Sequence, residues 1–223
     1  MKITYWSDFA CPYCYIGNTR LYRALEDLNI DADIKMKAFE LDMAAPRTVE
    51  SDTVTRFSKK YGISLDDARK QVESISELGR SEGLNFNYGS TLYTNTVDAH
   101  RLMKFACDKY PDLADSLSDA LFEAYFSKNL KLADRDTLVD IASSVGMDKG
   151  DVGVVLDGDN YLYDVRSDED DAYAKGVFAV PYYIIGDYVA IPGALAYDDF
   201  KGVLEDLSLE GKDSDYCSLD GCK

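Results

Sequence analysis

Strand-like patterns occur only near the two ends of this 223-residue chain, and the long stretch between them reads as consecutive helices. Near the start, residues 2–6 (KITYW) combine β-branched and aromatic side chains, and Ile34, Met36 and Ala38 alternate with polar residues as far as Leu41. Between them Leu21, Ala24, Leu25 and Leu28 recur at helical spacing from Tyr13 onward, with Asn29 as a stop. Strand signal returns only at residues 177–180, Pro181, residues 182–185, a turn at Gly186 and Asp187, and residues 188–191. Ala196, Phe200, Val203, Leu204 and Leu207 then form a last amphipathic stripe before a polar tail from Ser208. Short strands must pair to be stable, so the two ends are expected to share one sheet covered by helices. The expected class is α/β, in the order β-α-β, helical block, β-β-α.

Punctuation divides the helical block. Val54, Phe57 and Tyr61 share a face that Gly62 ends, and Ser64 with Asp67 has capping-box spacing ahead of Ala68, Val72 and Ile75. Ala99, Leu102, Met103, Ala106 and Tyr110 form a third stripe ended by Pro111. Leu113, Leu117, Ala120, Leu121 and Ala124 form a fourth, and Leu138, Ile141, Ala142 and Val145 a fifth, closed by Gly146. The expected organisation is a sheet domain from residues 1–44 and 174–210, an inserted helical domain at 45–173, and a tail at 211–223.

With 46% hydrophobic residues the chain can bury a sizeable core. Lys and Arg number 24 against 41 Asp and Glu, a net charge of −17 that repels phosphate backbones and anionic lipid surfaces. Nucleic acid and membrane partners are therefore not expected. No stretch has the pattern of a signal peptide or of a membrane span, and a cytoplasmic location is the expectation. Five cysteines do not form an even disulfide framework, so their positions carry the information.

Cys11-Pro12-Tyr13-Cys14 lies just after the first strand and opens the first helix. The positive end of that helix favours a thiolate at Cys11, which makes it the expected exposed nucleophile. Pro12 costs no hydrogen bond in a first helical turn, and the two-residue spacing lets Cys14 reach back to resolve a mixed disulfide on Cys11. Alone, a C-x-x-C pair is also compatible with a metal site or two ordinary buried thiols. Pro181 reads either as an edge-strand proline or as a cis residue exposing backbone beside the helix start.

Three segments carry a family resemblance: Tyr5 to Gly17 (YWSDFACPYCYIG), Asn95 to Leu102 (NTVDAHRL), and Gly176 to Tyr183 (GVFAVPYY) with the following IPGAL from Ile191. In these the chain resembles the DsbA family of thioredoxin-fold oxidoreductases, and more closely its FrnE-like subgroup, over nearly its whole length. The resemblance implies a thioredoxin fold with a large helical insert, Cys11 attacking, Cys14 resolving, and Pro181 in the cis form. It places Val180, Pro12, Tyr13, Asn95 and His100 at the substrate-binding face, with Val180 offering backbone hydrogen bonds. The implied activity is thiol-disulfide exchange or isomerisation on protein or small-molecule thiols, with no resident cofactor or metal and glutathione or another small thiol as a redox partner. The same fold family includes 2-hydroxychromene-2-carboxylate isomerases and kappa-class glutathione transferases, so a glutathione-dependent isomerase is the alternative; those relatives typically have Ser where Cys11 stands. A thiol-based metal or stress-binding protein is a further alternative.

The tail adds Cys217 and Cys222, four residues apart, which read either as an auxiliary redox pair or as a local loop-closing disulfide. All four thiolates together would suit a tetrahedral zinc site, although Pro12 and the helix after Cys14 favour redox chemistry. His100 reads first as a core residue and second as a general base, and Cys107 as a packed buried thiol. The tyrosines at 88, 93, 125, 182 and 183 read as core or groove lining.

Overall fold

The computed structural model of the protein describes residues 1–186 and 188–216. Strands β1 (Lys2–Ser7), β2 (Asp33–Ala38), β3 (Tyr182–Ile185) and β4 (Val189–Pro192) form one sheet in the order β2-β1-β3-β4. β1 runs parallel to β2 and antiparallel to β3, with Tyr5 opposite Met36 on one side and Tyr183 on the other. The two ends of the chain thus meet in the sheet, as the patterns required.

Alternation along the strands separates two cores. Ile3, Tyr5, Tyr183 and Ile185 face α1 (Pro12–Asp27) and α9 (Tyr197–Tyr216), where they pack on Leu21, Leu25, Phe200 and Leu204. Trp6, Tyr182 and Ile184 face the helical segment, whose buried side chains run continuously from Phe57 through Phe126 to Val155. Fully burying side chains of this size contributes about 1.5–3 kcal/mol each.

The helical segment comprises α2 (Thr53–Tyr61), α3 (Leu65–Ser81), α4 (Val97–Lys109), α5 (Ala114–Phe126), α6 (Arg135–Ser144), α7 (Lys149–Asp157) and α8 (Leu162–Ala174). Punctuation works locally as expected. The Asp52 side chain accepts from Thr55 N at the start of α2, Gly62 ends that helix in the left-handed region at φ 65°, and Ser64 Oγ accepts from Asp67 N at 3.1 Å. An aromatic stack then joins the segment to the start of α1. Tyr15 lies 5.0 Å from Phe122, Phe9 lies 5.0 Å from Phe122, and Phe86 lies 4.7 Å from Phe126.

Three expectations need correction. α7 and α8 are absent from the sequence expectation because neither carries a clean apolar stripe. In α7 Val154 is exposed between buried Val152 and Val155, and α8 buries Asp168 and Glu169 beside Val165 and Ala172. Residues 177–180 are not a strand: Val177 N donates back to Ala172 O at the end of α8 at 2.8 Å, and the pairing of β3 with β1 begins only at Tyr182, opposite Trp6. α9 continues past Ser208 to Tyr216, where the sequence is too polar to show a stripe. No helix among the described residues is long and apolar enough to cross a membrane.

Candidate active site

β1 ends at Ser7, and the turn that follows sets the first cysteine. Cys11 N donates to Asp8 O at 3.0 Å, Cys11 takes an extended conformation as the N-cap of α1, and Pro12 occupies the first helical turn. Cys14 N and Tyr15 N both point back to Cys11 O, at 3.1 and 3.4 Å. This places both thiols at the N-terminal end of α1, where the helix dipole favours negative charge. Both are free thiols.

Opposite them, the Val180–Pro181 peptide bond is cis. Cys11 Sγ donates to the Val180 carbonyl oxygen at 3.5 Å, so the loop before β3 reaches the first cysteine directly. Cys14 is completely buried, and burial together with the neighbouring Cys11 pushes its thiol well above the ordinary value, against smaller opposing effects of the Ser7 hydroxyl and the Asp8 amide. Cys14 therefore keeps its proton more firmly than an ordinary cysteine.

Cys11 is not the exposed nucleophile expected: only 3% of it is accessible, and that access comes through a cleft of about 680 Å³. Cys11, Tyr13 and Val180 line the cleft from the sheet side, and Phe57, Tyr88 and Tyr93 line it from the helical segment. Pro12 borders it as well, and Tyr13 is 43% exposed. Tertiary packing buries Cys11 because the helical segment closes over the end of α1, which no local pattern records.

Asn95 and His100, expected at the substrate face, do not line this cleft but sit in a buried polar layer of their own. Asn95 Oδ1 accepts from Val97 N at 2.9 Å, and its Nδ2 donates to Glu40 Oε2 at 3.1 Å. Its side chain is thereby committed to starting α4 and holding the segment after β2. Arg166 donates to Glu40 and Glu169, each at 2.6 Å, yet burial still pushes the Glu40 carboxyl upward. His100 is 1% exposed, packs 5.0 Å from the Phe9 ring, and approaches Asp8 Oδ1 at 3.5 Å through Nε2.

Asp8, which the sequence reading did not single out, sits at the heart of this arrangement. Its Oδ1 accepts from Ala10 N at 3.0 Å and its Oδ2 from Leu41 N at 2.7 Å. It therefore holds the cysteine turn against the segment after β2. Burial raises the carboxyl, but His100 and the amides of Leu41 and Ala10 outweigh it, so Asp8 ionises below its ordinary 3.8. A signal was present in retrospect: an acid directly before Phe9-Ala10-Cys11, where the chain passes from a buried strand into a buried turn.

A depressed folded value means that ionised Asp8 stabilises the fold above pH 3.8 and that this contribution is lost as the pH falls through the lower folded value. Asp8→Asn leaves one acceptor oxygen for the amides of Ala10 and Leu41, so one hydrogen bond is lost and the other no longer has a charged acceptor, with an expected loss of about 1.5–3 kcal/mol at pH 7. Urea melts of both proteins from pH 7 down to pH 3 check this. The gap between them is expected to close below about pH 4, and a gap of constant size would show that the ionised carboxylate contributes nothing.

Cys107 corrects another expectation: it is exposed on α4, because Ala106 and Phe105 beside it take the buried face. Cys217 and Cys222 lie outside the described residues. Among the described residues, no group of three or more His, Cys, Asp or Glu side chains is placed to hold a metal ion.

Comparison with known proteins identifies the fold and the family. The crystal structure of a probable DsbA oxidoreductase from Streptomyces coelicolor is 28% identical, covers 92% of this chain and 89% of its own, and superposes with a TM-score of 0.86. An uncharacterized Bacillus subtilis protein, YwbO, is 27% identical over 92% of this chain and 96% of its own. A 2-hydroxychromene-2-carboxylate isomerase shares the fold, with a TM-score of 0.71 at 16% identity over 98% of this chain and all of its own. The family model described as a DSBA-like thioredoxin domain matches residues 2–205, and the chain belongs to that family.

Proposed function

We propose that the protein is a thiol-disulfide oxidoreductase in which Cys11 attacks and Cys14 resolves. The observation that carries this reading is the asymmetry of the pair: Cys11 reaches the cleft, whereas Cys14 is sealed behind it with its proton held. Thiolate at Cys11 attacks one sulfur of a disulfide, and the substrate's other sulfur leaves as a thiolate. Cys14 then gives up its proton and attacks Cys11, releasing the second thiol and closing the Cys11–Cys14 disulfide. Two electrons pass to the substrate, and a thiol or dithiol donor reopens the enzyme disulfide.

The dithiol itself carries the electrons, so the reaction needs neither a metal nor an organic cofactor. Val180 and Pro181 present backbone next to Cys11, where an extended substrate segment can pair with it. The cis bond and the direct Cys11–Val180 contact support their assignment to the site. Partners are thiols and disulfides of proteins or small molecules. In a reducing compartment such as the cytoplasm, the same couple works as a reductase or isomerase.

Equilibration across a glutathione redox series, followed by alkylation and mass mapping of each cysteine, tests the reading. A two-electron Cys11–Cys14 transition is expected, with a potential between roughly −270 and −120 mV. Cysteines 11 and 14 that never pair at any potential would overturn it.

A further inference from the structure

We propose that the cleft over Cys11 selects disulfides bearing carboxylate groups, with Arg56 and Lys60 as the residues that bind them. This deepens the oxidoreductase reading and rests on it. The chain has 41 acidic and 24 basic residues, yet no described residue lining the cleft is acidic, and Arg56 and Lys60 are its charged members. The bias is local. A hollow of about 790 Å³ beside α1 and α5 is lined by Glu26, Asp115, Asp119 and Glu123 against one cation, Arg23.

Both cations come from α2, whose sequence TVTRFSKKY contains three basic residues and no acid. Arg56 is set in place without being neutralised. Its guanidinium lies 3.9 Å from the centre of the Tyr93 ring and beside the Tyr88 hydroxyl, and its buried Nε has no hydrogen-bond partner. Asp42, which lines the neighbouring hollow, accepts from Tyr93 OH through Oδ2 at 3.0 Å. Neither Arg56 nor Lys60 makes an ion pair with a described carboxylate. Asp42 and Glu50 line an adjoining hollow that Arg56 and Lys60 share with Lys59, and neither acid lines the cleft itself.

A stacked guanidinium keeps its edge N–H groups free for planar, bidentate binding of a carboxylate. An unpaired, half-buried arginine is costly to keep unless a ligand completes it. The cleft volume is that of a small-molecule site, so the occupant is a compact acidic disulfide. Without local cations, the field of a chain at −17 would repel such a substrate from Cys11. The chemistry is the exchange above: with the substrate carboxylate on Arg56 and Lys60, Cys11 attacks the bound disulfide, one acidic thiolate leaves, and Cys14 releases the second.

Steady-state reduction of three small symmetric disulfides, with a dithiol as electron donor, tests this. Dithiodipropionate is anionic, bis-hydroxyethyl disulfide neutral and cystamine cationic. The anionic disulfide is expected to have the lowest KM, rising with added salt. Arg56→Gln is expected to raise its KM roughly tenfold or more, the usual worth of a hydrogen bond to a charged group, and leave the neutral substrate within about twofold. Exposed Lys60→Gln gives a smaller rise in the same direction and guards against a folding defect in the first variant, while Arg56→Lys recovers part of the loss. Equal KM for the anionic and neutral disulfides, or an equal effect of Arg56→Gln on both, would overturn the proposal. No turnover of any of the three disulfides would instead remove the oxidoreductase reading beneath it.

Discussion

Replacing Cys11 with serine is expected to reduce turnover of every small disulfide to the uncatalysed rate, while Cys14→Ser is expected to trap the substrate as a mixed disulfide on Cys11. The difference follows from the placement of the two sulfurs. Cys11 borders the cleft and contacts the Val180 carbonyl, and a hydroxyl in its place is far too weak a nucleophile toward sulfur. Cys14 has no solvent-accessible surface, and burial beside Cys11 keeps it protonated, so it acts only when Cys11 carries a substrate sulfur next to it. Timed alkylation of the reduced protein gives an independent readout. Cys11 is expected to be labelled well before Cys14, with exposed Cys107 also labelled and serving as the reference. Labelling of Cys14 first, or catalysis surviving in Cys11→Ser, would reverse the assignment.

The second large effect concerns stability. Asp168→Ala is expected to cost about 3–5 kcal/mol, the usual penalty for removing one partner of a buried ion pair. Asp168 projects from α8 toward β2, where its Oδ2 accepts from Ala38 N at 2.9 Å and it pairs with Lys104 and, at 3.9 Å, Lys37. Its backbone oxygen accepts from Trp6 Nε1 at 3.0 Å. Truncating the side chain would leave a largely buried Lys104 and a buried strand-end amide without their acceptor. Asp168→Asn keeps an acceptor for Ala38 and loses only the charge, so it is expected to fall between wild type and alanine. Urea unfolding monitored by far-UV circular dichroism measures both. A loss below about 1 kcal/mol for the alanine variant would mean that solvent reaches and compensates these groups.

Both predictions depend on residues whose legibility in the sequence differs for a physical reason. Cys11, Cys14 and Pro181 stand at boundaries between elements, where chain chemistry acts locally: a proline in a first helical turn, a thiol at a helix start, an X-Pro bond ahead of a strand. Asp8, Asp168, Glu40 and Arg56 gave no comparable signal. Each is a polar residue whose contacts lie far away in the chain, as Leu41 does for Asp8, Ala38 for Asp168 and the Tyr93 ring for Arg56. Hydrophobic periodicity reports the side an element turns to the core, and buried charge interrupts it. That interruption is why α8 was missed.

The sequence by itself therefore determined the α/β order, the sharing of one sheet by the chain's two ends, the helix boundaries set by caps and glycines, and the cysteine pair at the start of α1. These follow from short-range forces and from the need of each apolar stripe to find cover. Only the tertiary structure decided that Cys11 lies within a cleft and not on the surface, that residues 177–180 join no strand, that His100 packs beside Asp8 behind the cysteine turn, and that Arg56 lines the same cleft as Cys11 without an ion-pair partner among the described residues. Each is set by the way the helical segment lands on the sheet. That placement is fixed by the combined fit of many side chains distant in sequence, and no local window contains it.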